Sequence, residues 1–345
     1  MIDRNGLKRF LWMTGIICVG LFASSSRADT AWTDLAEAAT AARSSVVEGR
    51  DGWLFLPAEL RHLGAGEFWG ERAREVSRAT RPDRADPTPA ILDFHRQLAA
   101  ADIHLLLVPV PPKALIYADK LSVAAEAVES AQATAQTFYD QLRSEGVDVL
   151  DMTGLFMDAR SDDGAKGWLY CRQDTHWTSR AAALTAHAVV DHIGSRVDWG
   201  DWPALEINER EQQINLRGDL WLQLEEPRPP AESLTVHKVL ANDAPIPADR
   251  QSPVLVLGDS HTLVFHAGGD MHGVGAGLVD HLAGRWQRPM DVLGVRGSGA
   301  TPARINLMRR ARGDADYLAG KQVVIWCFAA REFTQAEGWM PVPLR

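Results

Sequence analysis

The chain alternates short apolar runs with longer stretches in which apolar residues repeat at helical spacing. Apolar runs of strand length predict strands at 103–110, 147–150, 253–257, 291–295 and 323–328. The stretches around them predict helices at 29–48, 89–101, 124–144, 179–193 and 302–311. Strands that are apolar throughout are typical of a sheet covered on both faces. The pattern therefore predicts an α/β fold, with a mostly parallel sheet and helices on both faces.

Three local features refine this outline. Residues 49–56 predict a turn that leads into a short strand. Thr88 and Thr178 precede predicted helices and are suitable N-cap residues. Residues 200–250 are rich in Trp, Pro and acidic residues, and they predict an irregular insertion with short strands.

The N-terminal residues have the pattern of a secretory signal peptide. Basic residues come first (Arg4, Lys8 and Arg9), and an apolar stretch follows from Phe10 to Ala23. Small residues at Ser26 and Ala28 predict cleavage before Asp29. An uncleaved membrane anchor is the alternative, but the apolar run is short for a bilayer span. We therefore predict a signal peptide at 1–28 and a single domain at 29–345.

Composition narrows the possible partners. The net charge of −9 becomes about −12 once residues 1–28, with four basic residues and one acidic residue, are removed. Such a chain is not expected to bind nucleic acid by charge. Two cysteines remain, Cys171 and Cys327, which could form a disulfide or stay as buried thiols. The twelve tryptophans include candidates for stacking on sugar rings.

Two short segments carry the residues of an acyl-transfer site, Asp174–Trp177 and Gly258–His261. Ser260 follows a predicted strand, and a serine hydroxyl needs an adjacent base at neutral pH. His176 is the candidate base. Asp174 lies two residues earlier and can orient the imidazole, because such side chains point to the same side of extended backbone. Together they supply a Ser-His-Asp site, which is recognised by role rather than by chain order.

The carboxyl edge of the predicted sheet should hold the remaining contacts. Arg296, Gly297 and Arg331 all follow strands directly, as Ser260 does. Candidate donors for a developing oxyanion are the backbone N–H of Ser260 and one N–H from the loop 297–299. Arg296 could add a charge or hold substrate.

A metal site is the alternative interpretation of the same segments. Its ligands would be Asp174, His176, Asp259 and His261, which offer the oxygen and nitrogen atoms that zinc accepts. Residues around a nucleophile need only pack and hydrogen-bond, however. We therefore favour acid–base chemistry and expect neither a metal nor another cofactor.

Five segments occur in an order that is characteristic of one family: Gly52–Leu56, Val108–Lys113, Asp174–Thr178, Gly258–His261 and Phe328–Arg331. Together they resemble the AlgX/AlgJ-type alginate (exopolysaccharide) O-acetyltransferases, whose domain looks like an SGNH hydrolase with a flavodoxin-like sheet. The resemblance covers roughly residues 49–335. In that family the Asp-x-His precedes the serine, as it does here, whereas ordinary SGNH esterases have the reverse order.

The resemblance implies a periplasmic enzyme that moves acetyl groups onto hydroxyls of an exported polysaccharide. It implies Ser260, His176 and Asp174 as the triad. It also implies a membrane-bound O-acyltransferase as acetyl supplier, and proteins of an export complex as partners. The expected oxyanion or substrate contacts are Gly297, Arg296, Trp177, Arg331 and Lys113.

Two questions stay open at this point. The chain ends soon after Arg331, so the shorter AlgJ-like arrangement is expected rather than the AlgX arrangement with a C-terminal carbohydrate-binding module. The acceptor could be alginate, cellulose or another exopolysaccharide. A secreted acetyl esterase would use the same triad, and a non-catalytic SGNH-like component of an export complex is a further alternative.

Overall fold

A parallel five-stranded sheet forms the centre of the molecule in the computed structural model, which describes residues 22–344, with side chains from Thr30 onward. The strands are β1 (Val47–Glu48), β2 (Leu54–Phe55), β3 (His104–Val110), β4 (Asp148–Val149), β5 (Ile207–Leu216), β6 (Glu232–Ala241), β7 (Ala244–Pro245), β8 (Val254–Gly258), β9 (Asp291–Gly294) and β10 (Val323–Ala329). The central sheet has the order β4-β3-β10-β8-β9, and all its pairings are parallel. The carboxyl ends of its strands therefore meet at one edge.

Helices connect these strands, as parallel pairing requires. They are α1 (Phe22–Ala41), α2 (Pro57–Leu63), α3 (Ala73–Val76), α4 (Thr88–Ala99), α5 (Lys113–Ile116), α6 (Ala125–Ser144), α7 (Thr153–Ala159), α8 (Asp163–Lys166), α9 (Ser179–Ile193), α10 (Leu278–Trp286), α11 (Thr301–Gly313) and α12 (Glu332–Gln335).

Both faces of the sheet are buried in hydrophobic cores. On one face, alternate residues of β3, β8 and β10 pack with α9 and α10. On the other face, the intervening residues of the same strands pack with α4, α6 and α11. Successive side chains of a strand point to opposite faces, so burial on both sides requires apolar residues throughout. This is why the strands of the sheet were visible as continuous apolar runs.

The insertion is more regular than its sequence suggested. Within residues 200–250, β5, β6 and β7 form a separate antiparallel sheet in the order β5-β6-β7. Strands β5 and β6 are ten residues long each, so the expectation of short strands was wrong for these two. Strand β6 packs against α9 and α10, which attaches the insertion to one face of the domain.

Details at three helix ends differ from the prediction. The first helix ends at Ala41 rather than near residue 48. Thr88 does not cap α4: it is the first helical residue, and its backbone N–H donates to Oδ1 of Asp86 instead. Thr178 does occupy the N-cap position of α9, but its hydroxyl donates to the carbonyls of Trp168 and Leu169 rather than accepting from the helix.

The predicted signal peptide lies largely outside the described residues. Its predicted cleavage point, before Asp29, falls within α1, and the cleavage stays a prediction. Among the helices of the described part of the chain, none combines the length and apolar character that a membrane crossing needs.

Candidate active site

A continuous chain of hydrogen bonds joins Asp174, His176 and Ser260. The Nε2 atom of His176 lies 2.7 Å from Oγ of Ser260. On the other side of the ring, Nδ1 lies 2.6 Å from Oδ1 of Asp174. All three side chains are largely buried, yet they border a cavity of about 900 Å³. The structure therefore brings the predicted nucleophile, base and orienting carboxylate together in the order that acyl transfer requires.

Ser260 is positioned by the end of β8. Gly258, the last residue of that strand, pairs with Cys327 of β10. A Cβ atom at Gly258 would lie 1.7 Å from the Cys327 carbonyl oxygen, so the two strands can approach this closely only with glycine. The chain then turns into a short 3-10 helix at Ser260–Thr262. The serine hydroxyl is thereby held at the carboxyl edge of the sheet.

Asp174 and His176 lie on a tight turn ahead of α9. Tyr170 and Trp177 form an isolated antiparallel bridge, and the Cys171 N–H donates to the His176 carbonyl. The Asp174 side chain also accepts from the backbone N–H of His176 at 2.9 Å. The carboxylate thus contacts both the main chain and the ring of the residue that it orients.

Lys113 fixes this turn from beneath and does not reach the cavity. Its buried ammonium donates to the backbone carbonyls of Leu54, Arg172 and Asp174, at 2.6, 2.9 and 2.9 Å. Burial lowers the pKa of Lys113 to about 8. The expectation that Lys113 contacts substrate is wrong for this geometry: its donors are all used to tie the β2 strand to the Asp174 turn.

The electrostatics of the pair favour a charged carboxylate beside a basic imidazole. Burial by itself would raise the pKa of the Asp174 carboxyl, but His176 and His272 outweigh it and hold this pKa well below its usual range. Burial likewise disfavours the charged form of His176, and the Asp174 carboxylate more than reverses this effect. The pKa of His176 therefore lies above its ordinary value. An imidazole tuned in this way readily accepts a proton from a neighbouring hydroxyl.

The second Asp-x-His pair has a structural role. Asp259 Oδ1 accepts from the backbone N–H of His261 at 2.8 Å and lies 3.1 Å from its Nδ1, and Oδ2 accepts from the Ala329 N–H at 2.8 Å. Asp259 therefore joins the ends of β8 and β10 beneath Ser260. Burial lowers the pKa of His261, whose ring centroid lies 5.0 Å from that of His176. A neutral ring there avoids a second positive charge beside the base.

Three of the five expected contact residues line the cavity. Arg296 is exposed and its guanidinium lies 2.8 Å from Asp270. Gly297 follows it with a φ of 88°, a left-handed conformation that favours glycine. Arg331 lies 3.5 Å from the buried Glu59 carboxylate. Within the described residues, neither the Gly297 N–H nor the Ser260 N–H takes part in a hydrogen bond.

Trp177 lies in the hydrophobic core and not at the cavity. It is fully buried, and its ring packs edge-on against His261 at 5.4 Å between centroids. The expectation that Trp177 contacts substrate is therefore wrong for this geometry, because its flat face is covered by protein. Its side chain instead packs in the core beside the segments that carry His176 and His261.

Several residues of the site were not predicted from the sequence. His272 and the backbone N–H of Asp219 both donate to Oδ2 of Asp174, at 2.9 and 2.8 Å. Glu332 lies beneath the loop that carries Gly297, where its Oε2 accepts from Ser298 Oγ at 2.5 Å, and burial raises its pKa to about 7. These contacts depend on long-range packing. The sequence offered no spacing signal for them.

The geometry bears on two alternatives that the sequence left open, a disulfide and a metal site. Cys171 and Cys327 are both buried free thiols. Asp174, His176 and His272 have polar atoms within 4.8 Å of one another, which is a different set from the four ligands considered above. The contacts of Asp174 with both rings have the distances of imidazole–carboxylate hydrogen bonds. This arrangement is suited to moving protons.

The parallel sheet, with a hydrogen-bonded serine and histidine at its carboxyl edge, defines the class as hydrolase-like α/β proteins. Residues 46–330 match the family model described as "SGNH hydrolase-like domain, acetyltransferase AlgX". The chain belongs to this family. The predicted fold class and the family resemblance are both confirmed.

Relatives and solved structures agree with this assignment. The probable alginate O-acetylase AlgJ of Pseudomonas putida is 25% identical over 303 residues, which cover 84% of this chain and 70% of that protein. AlgJ of Pseudomonas aeruginosa is 26% identical over 155 residues, covering 45% of this chain and 34% of that protein. The O-acetyltransferase domain of P. putida AlgJ superposes with a TM-score of 0.62 at 21% identity, covering 84% and 92% of the two chains. P. aeruginosa AlgX superposes with a TM-score of 0.60 at 16% identity, covering 85% and 66%.

Proposed function

We propose that this protein is a periplasmic O-acetyltransferase that moves acetyl groups onto hydroxyls of an exported polysaccharide. The observation that carries the proposal is the hydrogen-bond chain from Asp174 through His176 to Ser260, which ends at a large open cavity. Family membership and relatives named as alginate O-acetylases support acetyl transfer as the reaction.

The first half of the reaction loads Ser260. Its Oγ attacks the carbonyl carbon of the acetyl donor while His176 Nε2 takes the hydroxyl proton. The tetrahedral intermediate then collapses as the bond to the leaving group breaks, and the imidazolium returns its proton to that group. The product is an acetyl ester on Ser260. Asp174 stabilises the imidazolium and holds the tautomer that leaves Nε2 free to accept.

The second half unloads the serine onto the acceptor. A sugar hydroxyl attacks the acetyl carbonyl, and His176 removes its proton in the same way. Collapse of this intermediate breaks the ester bond to Ser260 Oγ, which regains a proton from the imidazolium. If water attacks instead, the enzyme is an esterase, so transfer requires that the acceptor occupy the cavity during this step.

Backbone donors are available for the oxyanion. Ser260 and Gly297 both line the cavity, and their N–H groups have no hydrogen-bond partner among the described residues. Two such donors, fixed before the reaction, would stabilise the negative charge of both tetrahedral intermediates. Glu332 and Ser298 support the loop that carries Gly297.

One arginine of the cavity wall offers a contact to an anionic acceptor. Arg217, Arg296 and Arg331 line the cavity, together with the carboxylates of Asp174, Asp219 and Asp270. Arg296 and Arg331 have carboxylate neighbours, whereas Arg217 lies over the Trp221 ring at 5.8 Å. The Arg217 guanidinium would complement a carboxylate of a polyuronate such as alginate. A membrane-bound O-acyltransferase as acetyl supplier, with export-complex proteins, completes the proposal.

The variant Ser260→Ala tests the nucleophile. Hydrolysis of a chromogenic acetate should fall about a thousandfold or more, because no hydroxyl remains to form the acyl-enzyme. Ser179→Ala is the matched control, since Ser179 Oγ lies 3.2 Å from His281 Nε2 in a second buried serine–histidine pair away from this cavity. Wild-type turnover by folded Ser260→Ala protein would contradict the proposal.

A further inference from the structure

His272 is an imidazole of the site that the proposed reaction does not use. It lines the cavity, and its Nε2 lies 2.9 Å from Oδ2 of Asp174. This is the carboxylate oxygen that His176 Nδ1 does not contact, since that ring contacts Oδ1. The Asp174 carboxylate is therefore held between two imidazoles, of which only one touches Ser260.

The contacts of Asp174 account for its hydrogen-bonding capacity. Oδ1 contacts the backbone N–H and the ring of His176. Oδ2 contacts the Asp219 N–H and the His272 ring. A carboxylate has about four lone-pair sites, so these donors fill them. Among the four contacts, that of His272 is the one side-chain contact from outside the proposed triad.

The backbone around His272 is held in a specific conformation. His272 has a φ of 66°, which is unusual for a residue other than glycine. Two loop hydrogen bonds maintain it: Phe265 N–H donates to the Met271 carbonyl at 2.7 Å, and Gly268 N–H donates to the Gly273 carbonyl at 2.8 Å. A residue kept in a sparsely populated conformation beside a site points to a requirement for its position.

We propose that His272 is a positioning residue that fixes the Asp174 carboxylate by donating its Nε2–H to Oδ2. This inference rests on the proposed function, because its purpose is to keep Oδ1 aimed at His176 Nδ1. Without this donor, Oδ2 keeps only the Asp219 N–H, so the carboxylate is held less tightly against rotation about its bond to Cβ, and the His176 ring is less well aligned with Ser260. The effect reaches the reacting atoms only through Asp174 and His176.

Kinetics with two His272 variants test this role. His272→Phe removes the donor, and we expect kcat for chromogenic acetate hydrolysis to fall about tenfold at unchanged KM. His272→Gln keeps an N–H that can reach Oδ2 and should recover most of the loss. His266→Phe is the matched control: His266 Nδ1 lies 3.0 Å from the buried Asp280 in a neighbouring pair that does not line this cavity, and kcat should stay at the wild-type value.

A spectroscopic measurement separates this inference from the proposed function. The NMR signal of the His176 Nδ1–H reports its hydrogen bond to Asp174 whether or not the protein transfers acetyl groups. It should shift or broaden in His272→Phe, and it should persist in His272→Gln and His266→Phe. An unchanged signal together with wild-type kcat in folded His272→Phe protein would overturn the inference.

If His272→Phe does not fold, a comparison of His272→Asn with His272→Gln tests the same role. His272→Asn carries the same amide as His272→Gln on a side chain that is one carbon shorter and too short to reach Oδ2. A perturbed His176 signal in His272→Asn, with a normal signal in His272→Gln, supports the inference. Equal, normal signals in both would overturn it.

Discussion

In the proposed reaction, the protonation of His176 decides whether Ser260 can be activated. As a base it must be neutral, so activity should be lost as the pH falls through its pKa. Burial alone would lower that pKa, but the Asp174 carboxylate 2.6 Å away raises it above the ordinary value. The acid limb of the pH profile should therefore lie above the pKa of an ordinary histidine.

The variant Asp174→Asn tests this assignment. The amide carries no charge to raise the pKa of His176, and it can present its NH₂ group to Nδ1 and favour the wrong tautomer. We expect kcat to fall about 10³- to 10⁴-fold and the acid limb of kcat/KM to move to lower pH. A pH–rate profile of chromogenic acetate hydrolysis measures both effects.

Asp148 provides the matched control for this variant. Its carboxylate also lies between two imidazoles, those of His104 and His192, at 2.9 and 2.8 Å, but it does not line the cavity. Asp148→Asn should leave the acid limb where it is. An acid limb at the same pH in wild type and Asp174→Asn would contradict the role given to Asp174.

At the scale of elements, the β8–β10 pairing places Ser260, the proposed nucleophile, and Gly258 makes that pairing possible. A Cβ there would lie 1.7 Å from the Cys327 carbonyl oxygen, which is strand backbone and has little freedom to move. Gly258→Ala should destabilise the fold by about 3 kcal/mol and displace Ser260. Urea denaturation followed by circular dichroism measures the loss.

Gly154 offers the comparison for this substitution. It lies in α7, and nothing lies within 4 Å of the position that its Cβ would take. Gly154→Ala should stabilise the protein slightly, by about 0.5 to 1 kcal/mol, because alanine favours helix. Equal denaturation midpoints for Gly258→Ala and the wild type would contradict a close approach of β8 to β10 at Gly258.

The strands of the central sheet were predicted correctly and the length of β5 was not, because the two kinds of strand differ in burial. Strands of the central sheet are buried on both faces, so their apolar runs stand out. Strand β5 is mostly exposed, and its sequence, INEREQQINL, lacks the alternation that marks a half-buried strand. Its length comes from pairing with β6 over all ten residues, which no local pattern encodes.

At the scale of the whole molecule, the fold class and the Ser-His-Asp arrangement were predictable, while the surroundings of the site were not. Ser260 was singled out because it follows a buried strand, and Asp174 because it lies two residues before His176. Lys113 differs from the expectation, and His272 was not singled out by the sequence. The lysine became a buried support, and the histidine entered the site. Both outcomes depend on how distant segments pack, which spacing along the chain does not reveal.

The cavity is also a product of the whole molecule. One wall comes from the insertion through Ile214, Leu216 and Arg217, and the other from the sheet edge and the His272 loop. An acceptor seated between them would face Ser260 and compete with water for the acetyl group. Whether the acetyl group is transferred or hydrolysed thus depends on which nucleophile takes it.

The most direct test follows one acetyl group from donor to acceptor. The protein is incubated with a chromogenic acetate, the peptide that contains Ser260 is examined by mass spectrometry, and an oligosaccharide is then added. We predict an acetyl group on Ser260 that disappears on addition of the sugar, with an equal gain of acetyl ester on the oligosaccharide. Release of free acetate alone, or the absence of any acetyl group on Ser260, would contradict the account.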